Sequence, residues 1–133
     1  MKPAITWSAF ALAASAMAGV LFAFDPVTSG LFPPCVFHAL TGLHCAGCGT
    51  LRALHALLHL DLAGAWGFNP LTTAASPLLL FGSVLEARRI AGGRDATWRP
   101  PAWTIYGLLA LLVAFGIARN LPAGAFLAPH AIH

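Results

Sequence analysis

The sequence predicts an all-α integral membrane protein, with three transmembrane helices and one short interfacial or re-entrant helix after a Cys-, Pro- and Gly-rich loop. Three observations predict it. Of 133 residues, 59% are hydrophobic and 8% charged, against about 25% charged in an average globular domain. Apolar runs at residues 5–24, 71–87 and 102–118 approach the roughly 17 to 25 residues that a bilayer demands of a helix. The basic residues, finally, gather on one side of those runs, as lysines and arginines do beside membrane spans.

The first run carries no charge. Lys2 precedes it and Ala16-Met17-Ala18 looks like a signal-peptidase site, but the apolar character continues to Phe24 and suits an uncleaved span better. Lys2, Arg88, Arg89, Arg94 and Arg99 lie to one side of the three runs, Arg52 and Arg119 to the other. That bias places the N-terminus and a basic link at 88–101 in the cytoplasm, and the segment 25–69 and the C-terminal tail outside. Trp98, Trp103 and Tyr106 fit an interfacial aromatic belt. The formal charge of +3 then reflects topology, so membrane lipids and another membrane protein are the expected partners and nucleic acid is not. At this length the chain is expected to form a single membrane domain.

Within 25–69, Asp25-Pro26 and Phe32-Pro33-Pro34-Cys35 cannot be helical, because proline removes a donor and restrains its neighbour. Gly42, Gly47 and Gly49 punctuate the approach to a helix at 51–60, with Thr50 or Cys48 near its cap. Ten residues are too few to cross a bilayer. At 100° per residue, Cys48, Arg52, His55 and His59 fall within an arc of about 60°, opposite Leu51, Leu54, Leu57 and Leu58. Asn69-Pro70 opens the second run, Asn69 as a helix cap and Pro70 in the first turn. Pro77 breaks that run.

The chemistry concentrates in Cys35, Cys45 and Cys48, spaced C-x9-C-x2-C, with His38 and His44 beside them. A C-x2-C pair gives two thiolates to a tetrahedral ion, and Cys35 with one histidine would complete a zinc site. An iron–sulfur cluster fits less well, since four cysteines are usual. The same spacing serves thiol–disulfide chemistry. There Cys48 is the candidate catalytic thiol, because a helix N-terminus and Arg52 one turn along both favour a thiolate. Burial among leucines would do the opposite and make it inert. The third reading is a plain structural clip.

Around the thiols, Arg52, His55, His59 and Asn69 are candidates for a supporting layer. Arg52 would take a lipid phosphate or another anion bidentately, or would pair with Asp25, Asp61 or loop carbonyls. His55 and His59 are spaced for one metal, yet the intervening Ala-Leu-Leu lacks the glutamate of a metalloprotease. Glu86 is read as the counter-ion of Arg88 and Arg89, Arg119-Asn120 as a pair able to meet the loop, and His130 and His133 as tail. Phosphate-cradling, dinucleotide and nucleophile-elbow motifs have no support. A transporter subunit is disfavoured by the lack of polar residues in the runs.

The residues Phe32-Pro-Pro-Cys35-Val-Phe37-His38, Leu40-Thr-Gly-Leu43-His-Cys45-Ala-Gly-Cys48-Gly49, Arg52-Ala53-Leu54-His55 and Asn69-Pro70 resemble the domain of unknown function 2752 family of small bacterial integral membrane proteins. Ala46 stands where the family pattern has proline, and Thr50-Leu51-Arg52 shifts its threonine by one. The resemblance implies a multi-pass protein of the bacterial inner (cytoplasmic) membrane in which these thiols and the arginine occur together, and it brings no activity. On the residues themselves, the leading expectation is an outward three-cysteine site that binds metal or cycles between thiol and disulfide. The alternative is a non-enzymatic accessory protein in which the segment is a clip and Arg52 docks lipid headgroups or a partner. Whether the chain is an enzyme stays open.

Overall fold

Every regular element among the described residues is helical, as the apolar runs predict. The computed structural model describes residues 3–93 and 101–129, with side chains from Ser8 onward, and contains no strand among them. The order is α1 (Pro3–Ala23), α2 (Val36–Thr41), α3 (Thr50–Leu58), α4 (Leu62–Phe68), α5 (Pro70–Ala91) and α6 (Ala102–Ala118), followed by a 3-10 helix at Pro122–Leu127. Lys2, Arg94, Trp98, Arg99, His130 and His133, which enter the readings above, lie outside the described residues.

The expectation of three transmembrane helices is overturned: among the described residues, no helix is long and apolar enough to cross a membrane. Helix α6 has 17 residues, about 26 Å at 1.5 Å per residue, short of a hydrocarbon core of about 30 Å. Helix α5 is longer, but Thr72, Thr73 and Ser76 occupy its first half and Glu86, Arg88 and Arg89 its last turns. The inside and outside assignments were built on those spans and lose that support. The break at Pro77 is also absent, since α5 runs through it. The Thr73 carbonyl, which Pro77 has no N–H to reach, accepts the Ser76 hydroxyl at 2.9 Å instead.

The chain packs around α3, which touches α1, α4 and α5. Ala53 and Ala65 are fully buried and Ala56 nearly so, with Leu57 and Phe68 against them. Alanines on facing sides let α3 and α4 approach closely. The turn between them is tight: Asp61 N donates to Ala56 O at 2.9 Å and Leu60 N to Leu57 O at 3.0 Å, the paired closure of a Schellman motif. Leu60 holds the left-handed position at φ 61, where glycine is usual. Asp61 then caps α4 by accepting from Gly64 N at 2.8 Å. Asn69 caps α5 by accepting from Thr72 N at 3.1 Å, and Pro70 follows in the first turn.

Helix α1 is fastened to α3 by histidines. His55 Nδ1 donates to Leu21 O at 2.5 Å, and the His59 ring stacks on Phe22 with centroids 4.5 Å apart. At the other end, Gly124 of the 3-10 helix lies against the Ala118 carbonyl so closely that no Cβ would fit. The outer sides of α1, α5 and α6 remain apolar: Leu12 is 74% exposed, Leu78 75% and Trp103 72%. The accessible surface of 9526 Å² exceeds the roughly 6600 Å² that scaling gives a compact chain of this mass.

Candidate metal and thiol site

Residues 42–49 form a polar loop that three side chains hold from outside it. Asn120 accepts from His44 N at 2.8 Å and donates back to His44 O at 2.8 Å, pairing one backbone unit as a strand neighbour would. Asn69, fully buried, shares its amide protons among Ala46 O at 3.0 Å, Cys48 O at 3.2 Å and Thr50 Oγ1 at 3.2 Å. Arg119, 2% exposed, donates from Nη1 to Cys45 O at 3.0 Å and Cys48 O at 2.9 Å, from Nη2 to Phe68 O at 3.1 Å and from Nε to Leu127 O at 2.8 Å. Gly49 completes the corner. Its φ is +82°, and an added Cβ would sit 2.5 Å from Phe68 O, so conformation and space both demand glycine here.

This scaffold brings the three thiols together. Cys35 is the N-cap residue of α2, and Gly42 in the left-handed region turns the chain from α2 toward Cys45. Cys35 Sγ lies 3.5 Å from Cys45 Sγ, which lies 3.3 Å from Cys48 Sγ. All three sulfurs fall within 4.8 Å of one another. All three cysteines are free. Sulfurs at the corners of a tetrahedron with zinc bonds of about 2.3 Å are about 3.8 Å apart, so the spacing fits a common ion with small adjustments.

The environments of the thiols differ. A backbone N–H from His38, at the start of α2, stabilises a Cys35 thiolate and holds its pKa below the ordinary thiol value. Burial pushes Cys48 up to about 12, and contacts with the Cys45 and Cys35 thiols add to this. Of these two thiols, Cys35 is the one whose surroundings favour a thiolate, while Cys48, 6% exposed, sits where a bare thiolate is costly.

Cys35 and Cys48 line a cleft of about 830 Å³ together with His38, His44 and Arg52. The His38 and His44 rings stack with centroids 4.5 Å apart, and His38 Nδ1 donates to Leu43 O at 3.1 Å. Neither imidazole joins the group of converging sulfurs, which consists of the cysteines alone among the described residues. Burial lowers the pKa of His44, with His38 and Arg119 adding to the effect, so its ring is neutral near pH 7. His55 and His59 point to α1 and not to the thiols. The helical stripe that joined them to Cys48 does not exist, because α3 begins at Thr50 and Gly49 turns the chain before it. Asn69 does not face the cleft; it is the internal cap just described. Arg119 is the organiser that sequence reasoning placed near the loop without seeing its role. Its only signal was a cation followed by Asn at the end of an apolar run.

Fold and site together define a helical protein with three free, converging thiols at the wall of a cleft. Residues 35–82, a segment that runs from the first cysteine past Asn69, match the family model described as protein of unknown function (DUF2752). That match is consistent with a membrane protein, although no described helix is long and apolar enough to cross one. No curated protein and no solved structure matches the chain.

Proposed function

We propose that Cys35, Cys45 and Cys48 bind one metal ion as thiolates, zinc being the first candidate, with the fourth coordination position facing the cleft. The observation that carries the reading is the convergence of three free sulfurs within 4.8 Å. A disulfide needs two sulfurs and leaves the third without a task, whereas three thiolates are most of a zinc site. A bound dication also makes Cys48 a thiolate at neutral pH, which its buried position alone does not. When bound, zinc would supply a Lewis-acidic centre; the chain's part is to fix the three sulfurs and leave the cleft side open, with His38 and His44 beside it.

A second reading rests on Cys35. Its stabilised thiolate, 3.5 Å from Cys45 Sγ, suits thiol–disulfide exchange among the three sulfurs. We also propose that lipid or another membrane protein lies against the exposed apolar sides of α1, α5 and α6, because contiguous apolar surface on this scale marks an interaction site.

The test is elemental analysis for zinc, iron and copper on protein purified in mild detergent without chelator. Binding predicts about one equivalent per chain, lost in Cys45→Ser and in Cys48→Ser while both variants keep their helical circular dichroism. A metal-free native chain whose Cys45→Ser variant merely melts earlier would establish the clip instead. Metal-free protein in which Cys35 alkylates far ahead of Cys48 would favour the exchange reading.

A further inference from the structure

The cleft in front of the thiols contains a charge that the protein does not answer. Arg52 lines it, half-buried, and among the described residues no carboxylate, carbonyl or ring partners its guanidinium. The acids that the sequence offered it, Asp25 and Asp61, are engaged elsewhere, and so is Glu86. Asp25 accepts from Val27 N at 2.8 Å, Asp61 from Gly64 N at 2.8 Å, and Glu86 pairs with Arg89 at 3.9 Å. Among the described residues no acidic side chain lines the cleft. Behind the thiols Arg119 adds a second cation whose hydrogen-bond partners are all carbonyl oxygens, with the Phe115 ring beneath it.

We propose that this cleft holds an oxyanion, a carboxylate or phosphate group, on the Arg52 guanidinium, with the rest of the ligand against the apolar wall of Pro26, Phe32 and Pro34. Guanidinium presents parallel N–H groups that match two oxygens of such an anion. Charge favours it whether or not the metal reading holds. With protonated thiols the two arginines give the region a charge of +2. With three thiolates and a bound dication, the sum of −3, +2 and the two arginines is +1. Either way one anion lowers the imbalance. The cleft volume of about 830 Å³ is that of a site for a ligand of metabolite size. The carboxylate or phosphate can come from a free solute or from a lipid headgroup; the cleft chemistry is the same for both.

The test uses the whole chain in mild detergent, metal-free and metal-loaded in parallel. Phenylglyoxal modification of each arginine is followed by peptide mass spectrometry with inorganic phosphate, with acetate, or with vesicles of phosphatidylglycerol or of phosphatidylcholine. Protection of Arg52 by about tenfold or more, with exposed Arg88 unchanged, is the expected result. Protection by free phosphate or acetate identifies a soluble ligand. Protection by phosphatidylglycerol alone identifies a headgroup. Arg52→Gln should weaken saturable phosphate or vesicle binding about tenfold or more, as loss of a charged bidentate contact does, and Arg52→Lys should fall between the two. Should Arg52→Gln fail to fold, the protection assay on the native chain decides alone. Equal modification of Arg52 and Arg88 under all four conditions, or equal affinity in Arg52→Gln and the native chain, overturns the proposal. Anion binding without metal would leave it standing while removing the metal reading.

Discussion

Replacing Arg119 by methionine removes the cation that holds the cysteine loop and keeps most of the side-chain volume. The guanidinium makes four short hydrogen bonds to carbonyls. Two of those acceptors keep another donor, since Cys45 O also accepts from Cys48 N at 3.1 Å and Cys48 O from Asn69 at 3.2 Å. Phe68 O and Leu127 O are the exposed losses. Leaving a buried acceptor without a partner costs about 1–3 kcal/mol, so two cost about 2–6 kcal/mol. Relief of the desolvation that lowers the arginine's own pKa offsets part of this, and the net expectation is about 3 kcal/mol. For a chain of this length that corresponds to a fall in Tm of roughly 10 °C. The carbonyls of Cys45 and Cys48 also lose their common anchor, so zinc affinity should fall about 10- to 100-fold, as when groups supporting metal ligands are removed. Thermal unfolding by circular dichroism and zinc competition against a chromogenic chelator measure the two effects. A Tm within about 2 °C of the native chain, with zinc affinity unchanged, would refute the role given to Arg119. Lowered Tm with unchanged affinity would confine that role to folding.

Leu60→Gly should stabilise the chain by about 0.5–1 kcal/mol, because an L-residue pays about that much at φ 61 and the side chain is 86% exposed; chemical denaturation reads it. Asn69→Ala should cost about 2–4 kcal/mol, the sum of a lost cap and of buried carbonyls left short of donors, with a matching loss of zinc. The pH response has a definite sign. Cys48 has a folded pKa raised to about 12 from 9.0, so its contribution is complete below pH 9 and is lost as pH rises toward 12. At 1.36 kcal/mol per unit the loss approaches about 4 kcal/mol in metal-free protein. Cys35 works the other way, since its lowered folded pKa adds stability as pH rises toward 9 and removes it as pH falls. Denaturation midpoints from pH 7 to 11 should therefore decline above pH 9 without metal and stay flat with zinc. A decline of equal size in both forms would contradict thiolate ligation.

What could be read from residues alone divides along physical lines. Asn69-Pro70 was legible because a cap followed by proline is a local signal, and the structure keeps both roles. The helix at 51–60 was legible within two residues of each end. The apolar runs marked helices α1, α5 and α6, the third at both ends, but not whether those helices could cross a membrane, which turns on their length and on the residues at their ends. Pro101 and Arg119 bracket α6 at 17 residues, and hydroxyls and charges at both ends of α5 lower its apolar character. The thiols were recognisable as a set from their spacing, but their convergence depends on Gly42 and on the α2 cap, which spacing does not encode. Extending the helical arc back to Cys48 failed because one left-handed residue, Gly49, resets the 100° progression. Arg119 was hardest of all. Its hydrogen-bond partners are carbonyl oxygens, which every residue carries, so no pattern of side chains announces them.

The way the loop is fastened bears on what the sulfurs are for. The backbone from His44 to Cys48 is fixed by Asn120, Asn69 and Arg119, and none of these contacts uses a thiol. A cross-link placed there to hold the loop would duplicate work already done, and closing a four-residue ring in the unfolded chain would add little entropy of its own. The sulfurs are instead presented by a scaffold that stands without them. The Cys45 N–H donates to Cys48 Sγ at 3.2 Å, a bond that favours the thiolate and so a metal ligand. Two buried or half-buried cations flank a group that becomes strongly negative only when it is deprotonated. Arg119, satisfied by carbonyl oxygens, holds the loop under either reading, but a cation beside the sulfurs also suits three thiolates around a dication, and this favours the metal reading over a clip.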